Sequence, residues 1–430
     1  MATVSRPSAT SPETHVLRHR VSPPIILLVS AISAYIFLNA GSLQTLFITR
    51  VAFGLMIATI CGLFAYGLLQ RRMVPHIGAA LGAWAAVMTI QVFQYPISPK
   101  VLSQHVFTDF AIMLVPVGIA LTLGMWVRSR DEIFTVVLIV VAAAATATIF
   151  AWLKSPAMVR IEAPAILAIV GAWIVALLPL PRSLGSLRVR RRLRVIALVT
   201  VPLMLAVTIA SRSRTALGVW VLAGVICFVL PGVRRTPRSA ALVGVACISL
   251  VGFLGLADRV TSSGVSQELL TQVRVDSFIA GHGDASSQSR IAEAGDVMRT
   301  MKTEGGGFDY LLGFGHGSAY IPAASYIVPN VDRESGRVHH IHITPVMIFF
   351  RYGLVGLAVF LTLIFSVIVA SVRSFNRRRD ALSSLILVAM LMYLLDLMVR
   401  NSFVDPGLSL VMAVALVAER LRPVEVGGTC

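Results

Sequence analysis

Acidic residues are scarce in this chain: 20 Asp and Glu stand against 37 Lys and Arg, and charged types together make up only 13% of 430 residues. Apolar types reach 57% and the mean hydropathy is +0.83. A soluble domain of this length has too little interior for that much apolar surface, so lipid must be its solvent. Cysteine is also rare. Of Cys61, Cys227, Cys247 and Cys430, three fall inside apolar runs and one is the last residue, which excludes a disulfide framework and a zinc knuckle. Only one long polar segment interrupts the apolar chain, Asp258 to Arg351, and no internal repeat is visible. The net charge of +17 would suggest nucleic acid in a soluble protein. Here the arginines lie between apolar runs, where membrane orientation accounts for them, and no nucleic-acid partner is expected.

What is present is a succession of apolar runs of spanning length, at about 24–41, 46–69, 74–95, 110–127, 133–153, 163–181, 194–210, 214–231, 239–257, 343–372, 381–399 and 404–419. The expected fold is an all-α polytopic membrane protein of about 12 transmembrane helices with one large extracytoplasmic loop carrying short helices. Residues 1–24 read as a disordered cytoplasmic tail, rich in Pro and Ser. Ile25–Leu38 is short enough to resemble a signal-peptide core, but the many spans that follow make it a retained first helix. Helices 1–9 then occupy 25–257, the loop 258–342, helices 10–12 343–420, and a second tail 421–430. With the N-terminus in the cytoplasm, 22 Lys and Arg fall on the inner side and six in the short outer loops. That asymmetry places both termini in the cytoplasm and the loop on the extracytoplasmic side.

Within the loop, Asp284 to Arg290 offers N-cap residues, and Ile291, Ala294, Met298 and Met301 recur at helical spacing, with Arg290, Glu293 and Lys302 on other faces. This predicts an amphipathic helix on the membrane surface, stopped by Gly305-Gly-Gly307. Gly313-Phe-Gly-His-Gly317 follows, and its glycines permit a tight turn; no strand–turn–helix context frames it as a phosphate loop.

Two groups could carry chemistry. Arg212 and Arg214 share a short outer turn against the orientation rule. A single arginine there would be a snorkelling residue, but two suit a diphosphate, since guanidinium gives fixed bidentate donors. Arg290 is a third candidate, alone a solvated residue. The second group is His339, His340 and His342, each by itself an ordinary interface residue, yet able to take a proton near neutral pH. No cysteine or tight acidic cluster completes a metal site around them, so no metal is expected. Asp396 and Arg400, spaced i,i+4 near a helix end, could form a structural ion pair or reach a cavity, with Asp405 just beyond.

These residues resemble the O-antigen ligase and polymerase family of bacterial membrane glycosyltransferases, by motif over roughly Ser211 to Leu361 and by layout over the whole chain. That family has a loop-end His entering a helix, with a glycine eleven residues on and another three further. His342, Gly353 and Gly356 fit; His339 and His340 do not. The family's Ser-Arg at a helix start matches Ser211-Arg212 or Ser213-Arg214, and its loop arginine with a Gly-x-Gly matches Arg290 with Gly313 and Gly315. Ile343-Thr344 departs from the common Asn-Ser, and Arg351 from a frequent Glu. The resemblance implies transfer of a glycan from undecaprenyl pyrophosphate to an acceptor hydroxyl, on lipid A–core for a ligase or on another lipid-linked repeat for a polymerase. His342 would be the general base, Arg212, Arg214 and Arg290 the diphosphate ligands, and His339, Asp396 and Arg400 possible supporting residues, with no cofactor. A lipid-linked glycan transporter would instead show charges at mid-membrane and repeated halves. A sensor or scaffold would leave the Arg-Ser-Arg turn unexplained.

Overall fold

The computed structural model describes residues 21–40, 46–72, 78–94, 101–154, 164–210, 214–230, 285–323, 335–398, 403 and 405–421. These form helices α1 (Pro23–Ala40), α2 (Leu46–Leu69), α3 (Ala79–Gln91, extended by a 3-10 turn, Val92–Gln94), α4 (Ser103–Trp126), α5 (Arg130–Lys154), α6 (Pro164–Leu177), α7 (Leu187–Ala210), α8 (Arg214–Val229), α9 (Ala285–Glu304), α10 (Gly307–Leu312), α11 (Thr344–Arg378), α12 (Ala381–Leu397) and α13 (Pro406–Ala418). Among the described residues there is no β-strand, only two isolated antiparallel bridges, Val101 with Ser318 and Tyr320 with Val338.

Most of these helices are apolar around their whole circumference, as expected where lipid replaces water. Among the described residues, four stretches, Ile48–Leu69, His105–Trp126, Arg130–Leu153 and Thr344–Arg378, are long and apolar enough to cross a membrane, and six shorter apolar helices accompany them. The chain is an all-helical membrane protein. The expected span at 239–257, the expected tails beyond residues 21–421 and most of the expected loop before 285 lie outside the described residues, so the count of twelve stays an expectation.

The bundle is held by a few extended contacts. α4 packs against α2 and α13, α1 against α2 and α5, α6 against α5, α7 and α8, and α11 against α3, α12 and α13. Trp84 of α3 lies at the centre of one such contact: it meets Tyr352, Phe360 and Phe403, and its indole N–H donates to Met113 O at 2.8 Å. At the opposite end, Asp380 caps α12 and pairs with the buried Arg130 at 3.1 Å. Asp405 caps α13 through Gly407 N at 2.9 Å and takes the Tyr393 hydroxyl at 2.9 Å, which gives it a structural role.

α11 is longer than the expected run at 343–372 and is broken inside. Gly353 sits at φ 62°, ψ −164°, which an L side chain adopts only under strain. A Cβ there would also collide with the Leu311 carbonyl, and one on Gly313, itself at φ 79°, with the Arg351 carbonyl. The two glycines therefore let α10 and α11 touch backbone to backbone. The break frees the carbonyls of Phe350 and Arg351, and the Gly-rich segment takes them up: Phe314 N donates to Phe350 O at 3.1 Å and Gly315 N to Arg351 O at 2.8 Å.

Candidate active site

The segment Val338–Ile343 runs between α9 on one side and α4 on the other, so its histidines part company. His342 turns to α9. Glu293 there, buried, accepts from the His342 backbone N–H at 3.1 Å and lies 3.0 and 3.1 Å from its Nδ1; Tyr320 Oη donates to the same carboxylate at 3.3 Å. A carboxylate on Nδ1 fixes the tautomer in which that nitrogen carries the proton, leaving the Nε2 lone pair outward as a proton acceptor. The imidazole is 43% exposed, so a hydroxyl could reach it. His340 sits edge-on to His342, ring centroids 4.5 Å apart.

His339 turns the other way into a charged knot, largely shielded from solvent. Its Nε2 donates to Asp109 Oδ1 at 3.2 Å, Arg351 Nη2 donates to its carbonyl at 2.8 Å, and its ring stacks on His105 of α4 at 3.9 Å. Arg351 pairs with Asp109 at 3.1 Å, and the other Asp109 oxygen takes Gly317 N at 2.7 Å. Burial holds the His339 imidazole below the ordinary 6.5, and the Arg351 cation pushes the same way against the Asp109 carboxylate. His316, between Met88 O at 2.9 Å and the Tyr352 hydroxyl at 3.0 Å, is also lowered, chiefly by burial. One aspartate thus joins α4, the Gly-rich segment, the histidine segment and α11.

The expected amphipathic helix is α9, and it docks on the protein through the face opposite much of its apolar spacing. Ile291 and Met298 face outward, while Glu293, Asp296, Val297, Thr300 and Met301 are buried. The reason is hydrogen bonding. Asp296 accepts from Ala323 N at 2.8 Å and Thr300 Oγ1 from Ile321 N at 3.1 Å, so the polar face of α9 satisfies the loop backbone beneath it.

Arg290, half-buried on α9, stands three residues before Glu293 and so near its face. Arg214 opens α8, but the side chains of Arg212 and Arg214 lie outside the described residues, as does Arg400. Asp396 is buried in α12; its expected pairing with Arg400 falls outside what the structure describes. Sequence reasoning missed Glu293 and Asp109. Glu293 lay off the apolar spacing, whereas Asp109, a lone acid at the edge of an apolar run, carried a usable signal.

The family model described as O-antigen ligase matches residues 199–361. Over that stretch the chain is similar to the O-antigen ligase family. The matched region holds Arg212, Arg214, Arg290, Glu293, His339, His342 and the broken helix to Leu361, and leaves Asp109, Asp396 and Arg400 outside. No curated protein matches the chain.

Proposed function

We propose that the chain is an O-antigen ligase-like glycosyltransferase that moves a glycan from undecaprenyl pyrophosphate to an acceptor hydroxyl, on lipid A–core or a similar glycan, at the outer face of a bacterial inner membrane. The observation that carries this reading is the half-exposed His342 with Glu293 on its Nδ1, inside the matched region. In the step, His342 Nε2 takes the acceptor O–H proton while that oxygen attacks the anomeric carbon. The bond from that carbon to the diphosphate oxygen breaks, its electron pair leaves with the diphosphate, and the anomeric centre inverts. Glu293 orients the ring and stabilises the imidazolium. Arg212, Arg214 and Arg290 bind the diphosphate and its growing charge. The diphosphate is already an activated leaving group, so the step calls on no metal or nucleotide.

The test is a gel of surface glycolipids from cells lacking the gene, complemented with wild type or His342→Ala. Uncapped core with glycan accumulating on the carrier lipid is the expected result for the variant. Full rescue by His342→Ala would remove the histidine and this mechanism. Cores capped by a single repeat would instead indicate a polymerase.

A further inference from the structure

The break at Gly353 divides α11 into two segments with different surroundings. From Thr344 to Gly353 no residue is exposed. Exposure starts at Leu354 and recurs at Ala358, Leu361 and Phe365, one face of a helix. From Leu354 to Arg373, where Arg373, Arg377, Arg378 and Arg379 begin, is about 20 residues, or roughly 30 Å of helix. That equals the hydrocarbon thickness of a bilayer, so Gly353 marks the boundary opposite the arginines.

α10 lies at that boundary, since Leu311 and Gly353 meet backbone to backbone. Its Phe308 is 79% exposed and its Leu311 is also exposed, one turn apart on the same side. The neighbouring end of α3, joined to α10 by Gln91 Nε2 donating to Leu312 O at 2.7 Å, exposes Ile90 and Phe93. α3 and α10 both pack on α11, so these side chains lie beside its exposed apolar face, at a depth where lipid is the solvent. We propose that α10 is seated in the bilayer: Phe308 and Leu311, beside Ile90 and Phe93, insert among acyl chains of the leaflet opposite the arginine cluster. This would fix the depth of the Gly-rich segment and, through it, of the histidines. The inference does not depend on the reaction the site performs.

The experiment uses the full chain in phosphatidylethanolamine–phosphatidylglycerol bilayers, with Cys61, Cys247 and Cys430 changed to Ser and Cys227 to Ala. Nitroxide labels are placed singly at Phe308→Cys and Leu311→Cys. Phe365→Cys on the apolar face of α11 and Ser335→Cys on an exposed turn serve as references. Collision with oxygen and with a water-soluble nickel chelate is read by power saturation. Labels at 308 and 311 should give an oxygen-to-nickel ratio several-fold above that at 335 and below that at the deeper 365. A ratio equal to that at 335 would put α10 in water and overturn the proposal. Protection from both reagents would overturn it too, in favour of a second copy covering this face.

Discussion

His339 and His342 are three residues apart, yet they belong to different chemistries. His342 is half-exposed, tied to one carboxylate through Nδ1 and open at Nε2. His339 is enclosed by Asp109, Arg351 and His105, and burial pushes its pKa below the ordinary value. The same side chain acts as a candidate base in one place and as mortar in the other. What separates them is solvent access and the number of partners, since an imidazole whose two nitrogens are both engaged in a buried network has no lone pair to offer a substrate.

The sharpest way to break this contrast is to remove each histidine in turn. His342→Ala should cut transfer by about 10²–10⁴-fold, the usual contribution of a general base, with protein level in the membrane unchanged. His339→Gln should keep most activity. A transfer assay with lipid-linked donor, normalised by immunoblot, reads both, and equal losses would erase the distinction.

Next in size is the knot itself. Arg351→Ala removes the guanidinium that pairs with buried Asp109, leaving it only His339 and the Gly317 N–H, and should cost about 3–5 kcal/mol of stability, seen as a lower midpoint in thermal unfolding in detergent. Gly353→Ala should cost about 1–3 kcal/mol from backbone strain, and more if Leu311 cannot move away. The same unfolding assay orders the two.

A finer probe is Glu293→Gln, which keeps the shape but replaces a charged acceptor. A hydrogen bond to a charged group is worth about 1.5–3 kcal/mol, so transfer should fall roughly 10–100-fold. Stability should change less than in Arg351→Ala.

The smallest effect is on pH. His316 and His339 are held below the ordinary 6.5 in the fold, so the unfolded chain binds more protons in acid. Their contribution to stability is present above about pH 6.5 and is lost as pH falls below it. Unfolding midpoints across that range should drop on acidification, and His339→Gln should flatten the slope.

Much of the protein was legible from residue order. Long apolar runs predicted helices because an unpaired backbone cannot sit in hydrocarbon, and α2, α5 and α12 follow those runs closely. The spacing of His342, Gly353 and Gly356 also pointed to a special helix entry. Why Gly353 must be glycine was not legible, because the reason is the Leu311 carbonyl, 42 positions earlier, pressing on it. Nor could spacing show which face α9 buries. The loop backbone needed acceptors, so α9 turns Asp296 and Thr300 to it and leaves Ile291 and Met298 outward.

Sequence alone determined that this chain lives in lipid, that it is helical, and that its histidines and glycines cluster before one late helix. These follow from composition and local spacing, which need no knowledge of neighbours. Only the tertiary structure decided which histidine keeps an open nitrogen. That depends on Glu293 and Asp109, 49 and 230 positions from their partners, and on how deeply each pair is shielded from water.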